Sequence, residues 1–135
     1  MSHNDKNIDV NKIVSHWLET SDDDFKTMLS LFDAKSYHWS LFLGHIVIER
    51  LLKSLYVKKF GKHAPFTHNL YRLAELTGIE MNHEYADWLD ELTSFNLHAR
   101  YDDYKKEFYT LCTREYTVDW IERIKRIRIW IKKML

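Results

Sequence analysis

Apolar residues recur at helical spacing along the first quarter of the chain. The stripe consists of Val10, Val14, Trp17, Phe25, Met28 and Phe32, and its helical phase is kept across the polar stretch 21–24. The pattern predicts one long helix over about 9–34. Ser21 and Asp24 would alternatively cap a second helix, which would place a kink at this point.

The next apolar stripe predicts a helix over about 36–60, followed by a shorter one. Gly61 is the expected C-terminal stop of the longer helix, because glycine adopts the left-handed conformation at low cost, and Pro65 follows it. Thr67 is the expected N-cap of the shorter helix, which Gly78 ends. The stripe of the longer helix consists of Leu41, Ile48, Leu52 and Leu55.

The second half of the chain predicts two more helices around one unassigned segment. Apolar positions indicate a helix over about 83–97 and a final helix that Thr113 or Thr117 caps. Residues 98–113 show no clear period, and no part of the sequence alternates with the two-residue period of a strand. We therefore expect one all-α domain over 1–135, an antiparallel up-and-down bundle of four to five helices.

The composition of the chain supports long helices and indicates the cellular compartment in which the protein is found. The chain holds three Gly and one Pro among 135 residues. Its eight Tyr, seven Phe and five Trp exceed what a small core usually needs, so some pack across a partner interface or make the core aromatic-rich. A single cysteine, Cys112, excludes an internal disulfide and fits a reducing cytoplasm. Without a leader or a bilayer-length apolar run, we expect a soluble cytoplasmic protein that does not associate with membranes.

The formal charge is zero but unevenly distributed. Residues 1–33 contain three Lys and seven acidic residues, a charge of −4, whereas 121–135 contain six Lys or Arg and one Glu, a charge of +5. The zero total argues against a protein that coats nucleic acid. The two ends would lie side by side in one bundle or meet across a dimer, and the basic last helix is either solvated or contacts RNA.

Three polar residues of the second predicted helix form the first candidate site. His45, Glu49 and Lys53 are each four residues apart, so they lie on one ridge beside the apolar stripe. A half-buried His and Glu beside a cation suit acid–base chemistry or phosphate contact. The alternative is an ordinary salt bridge at the rim of the core.

The second candidate site follows the fourth predicted helix, where His98, Arg100 and Asp103 are close in sequence. A guanidinium such as that of Arg100 binds phosphate or carboxylate through two parallel hydrogen bonds. Asp102 or Asp103 would alternatively satisfy it internally and hold the segment in place.

The sequence predicts neither a cofactor nor a metal. His63 and His68 lack a third ligand at a recognisable spacing, although His68 would also suit a helix cap. Three isolated glycines cannot form a phosphate-binding loop, and Cys112 has no base near it in the sequence.

Three short motifs follow one another within residues 43–103. Glu49, Arg50 and Lys53 are similar to a Glu-Lys-x-x-Lys-Ala pattern. Residues 68–70 resemble a His-(Asp/Asn)-Leu helix start, and 100–103 resemble an Arg-Tyr-Pro-(Asp/Glu) signature. Together they resemble the HEPN domain family (the higher eukaryotes and prokaryotes nucleotide-binding domain), in particular its prokaryotic branch associated with minimal nucleotidyltransferases.

This resemblance implies a four- or five-helix bundle, usually a homodimer, whose polar groups line a cleft near the two-fold axis. It also implies a nucleotide, RNA or a minimal nucleotidyltransferase as partner, because some members are ribonuclease toxins with such an antitoxin. Their activity depends on an Arg-x(4–6)-His motif. No histidine stands at 105–107 after Arg100, and Asp102 replaces the proline of the signature.

We therefore expect a HEPN module that binds a nucleotide or a nucleotidyltransferase without ribonuclease activity, as half of a toxin–antitoxin-type pair. One alternative is a metal-independent endoribonuclease with an atypical active site, in which His98 or His45 acts as the base. Another is a structural dimerisation subunit. The expected ligand-binding residues are His45, Glu49, Lys53, His98, Arg100 and Asp103.

Overall fold

A computed structural model describes residues 8–135 as six α-helices without a strand. The all-α fold class is confirmed, with one helix more than the upper expected number. The expectation of no leader concerns residues 1–7, which lie outside the described part. No helix within 8–135 combines the length and the apolarity needed to cross a membrane. The helices are α1 (Val10–Asp33), α2 (Tyr37–Phe60), α3 (Leu70–Thr77), α4 (His83–Arg100), α5 (Asp102–Leu111) and α6 (Arg114–Lys132).

Helix α5 occupies the segment that periodicity left unassigned. Helix α4 continues to Arg100, three residues beyond its predicted end, and α5 begins directly after Tyr101. The first turn of α5 contains Asp102 and Asp103, whose negative charges are favourable at a helix N-terminus. Only Phe108 is buried on α5, which explains why no apolar stripe marks this helix in the sequence.

Side-chain caps fix the starts of α3 and α6 and decide between the caps that the sequence suggested. The Asn69 Oδ1 accepts the backbone N–H of Arg72 at 2.9 Å, so Asn69 and not Thr67 is the N-cap of α3. The Thr113 hydroxyl accepts the N–H of Tyr116 at 3.2 Å and caps α6. Thr117 lies inside α6 instead. At the C-terminal ends of α2 and α3, Gly61 and Gly78 adopt positive φ angles of 66° and 75°, as predicted.

Helix α1 is continuous, and serines fix its register against α2. The Ser21 hydroxyl donates to the Val47 carbonyl at 2.8 Å, so it joins two helices rather than capping one. Equivalent bonds run from Ser40 to the Met28 carbonyl and from Ser54 to the Val14 carbonyl. The α1 partner advances by seven residues at each step while the α2 partner recedes by seven. This is the heptad register of an antiparallel helix pair, with small side chains that allow close approach.

Helix α2 is the centre of the bundle, and α1, α3, α4, α5 and α6 all pack against it. Thirteen of its 24 residues are buried, so it is enclosed on nearly all sides. Gly44 allows the close approach of α6, because a Cβ atom at this position would collide with the Cδ1 of Ile124. The site residues of α2 are therefore held by the most extensively packed element of the fold.

Aromatic side chains fill the space between α4 and α6. The ring of Phe95 meets that of Trp120 edge-on, with centroids 5.0 Å apart, and Tyr85 lies 4.8 Å from Trp130. Phe95 also packs against Phe108 of α5 at 5.1 Å. Much of the aromatic content thus serves an aromatic-rich core, one of the two interpretations that the composition allowed.

The oppositely charged ends of the chain lie side by side. Asp22 on α1 accepts hydrogen bonds from Arg128 at 3.0 Å and Lys132 at 2.8 Å, both on α6. Burial alone would raise the pKa of Asp22, but these two cations outweigh it and lower the pKa below its usual value. Part of the basic face of the last helix is therefore used within the chain.

Candidate functional site

The predicted ridge of α2 is buried rather than half buried. His45 is fully enclosed, and Glu49 and Lys53 are only 6% and 7% exposed. The Lys53 Nζ lies 2.9 Å from the Glu49 Oε2, which confirms the contact that their spacing predicted. Because burial removes these two charges from water, the pair depends on its geometry and on further hydrogen bonds.

His68 is a member of this site that sequence reasoning did not identify. Its Nδ1 donates to the Glu49 Oε1 at 2.8 Å, so the two oxygens of one buried carboxylate hold one side chain each. The His68 side chain is 61% exposed and leads from the buried carboxylate to the surface. Nineteen residues separate the two partners, and no local pattern in the sequence indicates such a contact. We call Glu49, Lys53, His68 and His45 the Glu49 cluster.

His45 completes the cluster as a neutral, structural group. Its Nε2 donates to the carbonyl oxygen of His68 at 2.8 Å, whereas the Glu49 Oε1 is 3.8 Å away, too far for a hydrogen bond. Burial lowers the pKa of His45 below its usual value, although the His68 carbonyl and Glu49 oppose this effect. A fully enclosed, neutral imidazole that holds the backbone of a loop does not serve as a base for an external substrate.

The second predicted site reaches the protein surface at the last residue of α4. Arg100 is exposed at the end of α4, where its Nε donates to the Asn96 carbonyl at 3.1 Å and its guanidinium lies 5.6 Å from the ring of Tyr101. Its charge contributes to the lowered pKa of His45, but no hydrogen bond joins it to the Glu49 cluster within residues 8–135. Arg100 is therefore available to contact a partner or an anion.

Within residues 8–135, His98 and Asp103 likewise form no hydrogen bond with the Glu49 cluster. The His98 ring packs 5.2 Å from that of Tyr104 and 6.1 Å from that of Phe108, along a small pocket of about 130 Å³. Asp103 is exposed in the first turn of α5. The alternative in which Asp102 or Asp103 pairs with the Arg100 guanidinium is not supported. Neither carboxylate forms an ion pair with it in the described part of the chain.

A pocket beside these residues has a volume of about 570 Å³ and includes Lys53 in its wall. Helix α1 and the loop 61–69 form the other walls. Nine of the residues in 8–135 line it, and every ionisable one among them is basic: Lys12, His16, Lys53 and His63. The remaining lining residues are apolar, and two of them, Trp17 and Phe66, are aromatic. We call this cavity the Lys53 pocket; apart from Lys53, the sequence pattern did not single out its residues as ligand contacts.

The loop wall of the Lys53 pocket is fixed through the Glu49 cluster. His68 stands near the C-terminal end of this loop and is held twice, by Glu49 through its ring and by His45 through its carbonyl. The next helix is anchored as well, because the Leu70 N–H donates to the Thr93 hydroxyl at 3.0 Å. The buried polar groups therefore shape the pocket, and Lys53 alone among them reaches into it.

Two other chemistries receive no support. Burial raises the pKa of the Cys112 thiol to about 12, so it stays protonated at neutral pH and is a poor nucleophile. Within residues 8–135, no three His, Cys, Asp or Glu side chains are grouped as a metal ion would require.

Comparisons with known proteins agree with the helical architecture. A model of the HEPN domain matches residues 14–134. The crystal structure of TT1696 from Thermus thermophilus superposes with a TM-score of 0.76, over 90% of this chain and 98% of the other, at 16% sequence identity. At that identity, the similarity concerns the fold alone. No curated protein is significantly similar to the chain in sequence.

Proposed function

The chain belongs to the HEPN domain family, and we propose that it works as a cytoplasmic nucleotide-binding module without ribonuclease activity. The observation that carries the proposal is the Lys53 pocket, in which an ammonium group ordered by a buried carboxylate is joined by three further basic side chains. Phosphate groups are recognised by lysine ammonium groups and by other side chains that donate hydrogen bonds, and burial strengthens the interaction of a cation with an anion.

Three features argue against ribonuclease activity. No histidine stands at 105–107, five to seven residues beyond Arg100, where the family's Arg-x(4–6)-His motif requires it. His98, the nearest substitute, packs against aromatic rings, and His45 is enclosed and engaged with a backbone carbonyl. A general base must reach the proton that it removes, and the enclosed imidazole of His45 is not placed to do so.

Labelled RNA tests the absence of cleavage. We expect the wild-type protein to leave the RNA intact over hours, as does an Arg100→Ala variant. The same preparations are then heated with and without nucleotides. A ligand at 100 times its Kd stabilises the folded state by about 2.7 kcal/mol, which raises the Tm by several degrees in a domain of this size. RNA cleavage that disappears in Arg100→Ala would overturn the proposal, and a Tm that no nucleotide raises would favour a purely structural subunit.

We also propose that the chain forms a homodimer through the face around α5. Large apolar side chains are unusually exposed here: Tyr104 is 43% exposed and Leu111, seven residues further along the same helix, is 50% exposed. Leu97 and Tyr101 extend the exposed surface toward the end of α4. A contiguous apolar surface of this kind is more typical of an interface than of a solvated helix.

Light scattering tests this interface. We expect the wild-type protein to show twice the chain mass of 16.4 kDa, and Leu111→Glu to shift it to the monomer, because a charge would be buried without a partner. Ile129→Glu is the matched control, since Ile129 is 54% exposed on α6, outside this face. A monomeric wild type, or a Leu111→Glu variant that stays dimeric, would refute the interface.

Membership of the family further leads us to propose a minimal nucleotidyltransferase as the partner in a toxin–antitoxin-type pair. Arg100, which is exposed beside the same apolar face, is available to such a partner. Co-expression with a nucleotidyltransferase from the neighbouring gene and co-purification of the two proteins would test this. Failure of the pair to co-purify would leave the nucleotide-binding proposal standing and remove the partner.

A further inference from the structure

The Lys53 pocket combines basic side chains, which attract anions, with aromatic side chains, which stack on flat rings. Its basic groups come from three separate elements: Lys12 and His16 from α1, Lys53 from α2 and His63 from the loop 61–69. Its aromatic groups come from two, Trp17 of α1 and Phe66 of the loop. A ligand that satisfies both sets carries an anionic end and a flat aromatic end.

The basic set is available to an external anion. Glu49 occupies one donor of the Lys53 ammonium, which has three, and Glu49 itself is not part of the pocket lining. No carboxylate lines the pocket within the described residues, so an entering phosphate makes no direct contact with any of their carboxylates. The imidazoles of His16 and His63 add hydrogen-bond donors at the exposed rim.

The aromatic set contains one side chain with no packing role of its own. Phe66 is fully exposed, although phenylalanine is among the most apolar residues, and it lies at the rim of the pocket beside Pro65. Trp17 is half buried and is held by the Lys53 ammonium, 5.6 Å from its ring centroid. Exposed aromatic rings beside cations are the arrangement on which nucleobases stack.

We propose that the Lys53 pocket binds a free nucleoside phosphate, with the base against Phe66 and the phosphates at Lys12 and Lys53. This inference rests on the proposed nucleotide-binding function and names the ligand class and its orientation. The pocket volume of about 570 Å³ lies within the range of small-molecule sites. The base is recognised by its face rather than by its edges, so purine and pyrimidine nucleotides both bind.

A free nucleotide fits the surrounding charge better than an RNA strand does. Proteins that bind single strands provide a basic groove that follows the phosphates over several nucleotides. Beyond the pocket, the next two exposed charges on α1 are those of Glu19 and Asp23, and the formal charge of the whole chain is zero. The basic groups therefore suit one short phosphate group, and the two exposed carboxylates are unfavourable for a backbone that continues along α1.

Titration calorimetry with four probes separates the contribution of the base to the affinity from that of the phosphate. The probes are AMP, ATP, ribose 5-phosphate (a phosphate without a base) and a short oligouridylate. We expect AMP and ATP to bind the wild-type protein at least roughly tenfold more tightly than ribose 5-phosphate or the oligouridylate. Phe66→Ala should weaken AMP and ATP by roughly tenfold, the loss of one stacked base, and leave ribose 5-phosphate unchanged. Phe66→Tyr should restore the affinity.

A matched control and three contrary outcomes make the test decisive. Tyr109→Ala removes another exposed aromatic ring, one that lies outside the Lys53 pocket, and should leave the affinity for every probe unchanged. If Phe66→Ala binds AMP as the wild type does while Lys12→Glu loses it, the base-stacking inference is wrong and the proposed function stands. If the oligouridylate binds more tightly than AMP, the ligand class is wrong. If none of the probes binds, the proposed function itself fails.

Discussion

The Glu49→Gln substitution is expected to lower the free energy of unfolding by about 3–5 kcal/mol, because it leaves the buried Lys53 ammonium without its counter-ion. Gln preserves the size of the side chain, so the loss reports charge rather than a cavity. His68 loses its ionic acceptor as well, and the loop that it anchors is held less firmly. Urea unfolding followed by circular dichroism measures the change.

Two further variants distinguish the stability that comes from the Glu49–Lys53 ion pair from the cost of burying its two charges. Glu49→Leu combined with Lys53→Met removes both charges and should be about neutral or even stabilising, since the cost of removing the charges from water disappears with them. Asp24→Asn breaks the more exposed pair with Arg50, in which the two side chains are 22% and 33% exposed, and should cost less than about 1 kcal/mol. A Glu49→Gln variant as stable as Asp24→Asn would show that the buried pair does not hold the site together.

The Trp120→Ala substitution should cost about 3–5 kcal/mol for a different reason, the cavity that it leaves. Trp120 is fully buried, with its ring 5.0 Å from that of Phe95 and the Arg123 guanidinium 4.9 Å from it. Large aromatic rings fill the gap between α4 and α6, so the two helices cannot easily move together to fill the cavity that the substitution leaves. The surrounding structure therefore relaxes little.

The control for this substitution is Ile129→Ala on the same helix. Ile129 is exposed, and its truncation should change the free energy of unfolding by less than about 0.5 kcal/mol. Both variants are measured by urea unfolding. A Trp120→Ala variant that loses less than about 1 kcal/mol would mean that α4 and α6 collapse together, contrary to the packing described above.

Periodicity predicted most of the fold because most of the helices bury one face. Helix α1 was recovered almost to its ends, and Gly61 and Gly78 were identified as stops because glycine fits the left-handed conformation there. Helix α5 was not predicted, since a helix that buries Phe108 alone leaves no apolar stripe in the sequence. The N-cap of α3 was misplaced because Thr67 and Asn69 are both good caps.

The sequence predicted only those contacts of the site that lie within one helix. The spacing of Glu49 and Lys53 predicted their contact, because residues four apart on a helix are neighbours whatever surrounds them. Their burial depends on the helices packed around α2, which the spacing does not report. His68 reaches Glu49 from a loop, and the wall of the Lys53 pocket comes from α1 and that same loop. Contacts between elements require the fold, so they lie beyond what local patterns in a sequence predict.

The central claim, that this HEPN domain binds nucleotides at the Lys53 pocket, is tested most directly by calorimetric titration of ATP into the wild type and a Lys12→Glu variant. Lys12 is exposed at the pocket, so its replacement should leave the fold intact. Lys26→Glu, on the exposed surface of α1 outside the pocket lining, makes the same change in charge elsewhere. The claim predicts saturable binding of one ATP per chain. The affinity should be at least roughly tenfold weaker in Lys12→Glu, a loss of about 1.4 kcal/mol or more, and unchanged in Lys26→Glu. Absence of binding in the wild type, or equal weakening by both substitutions, would contradict it.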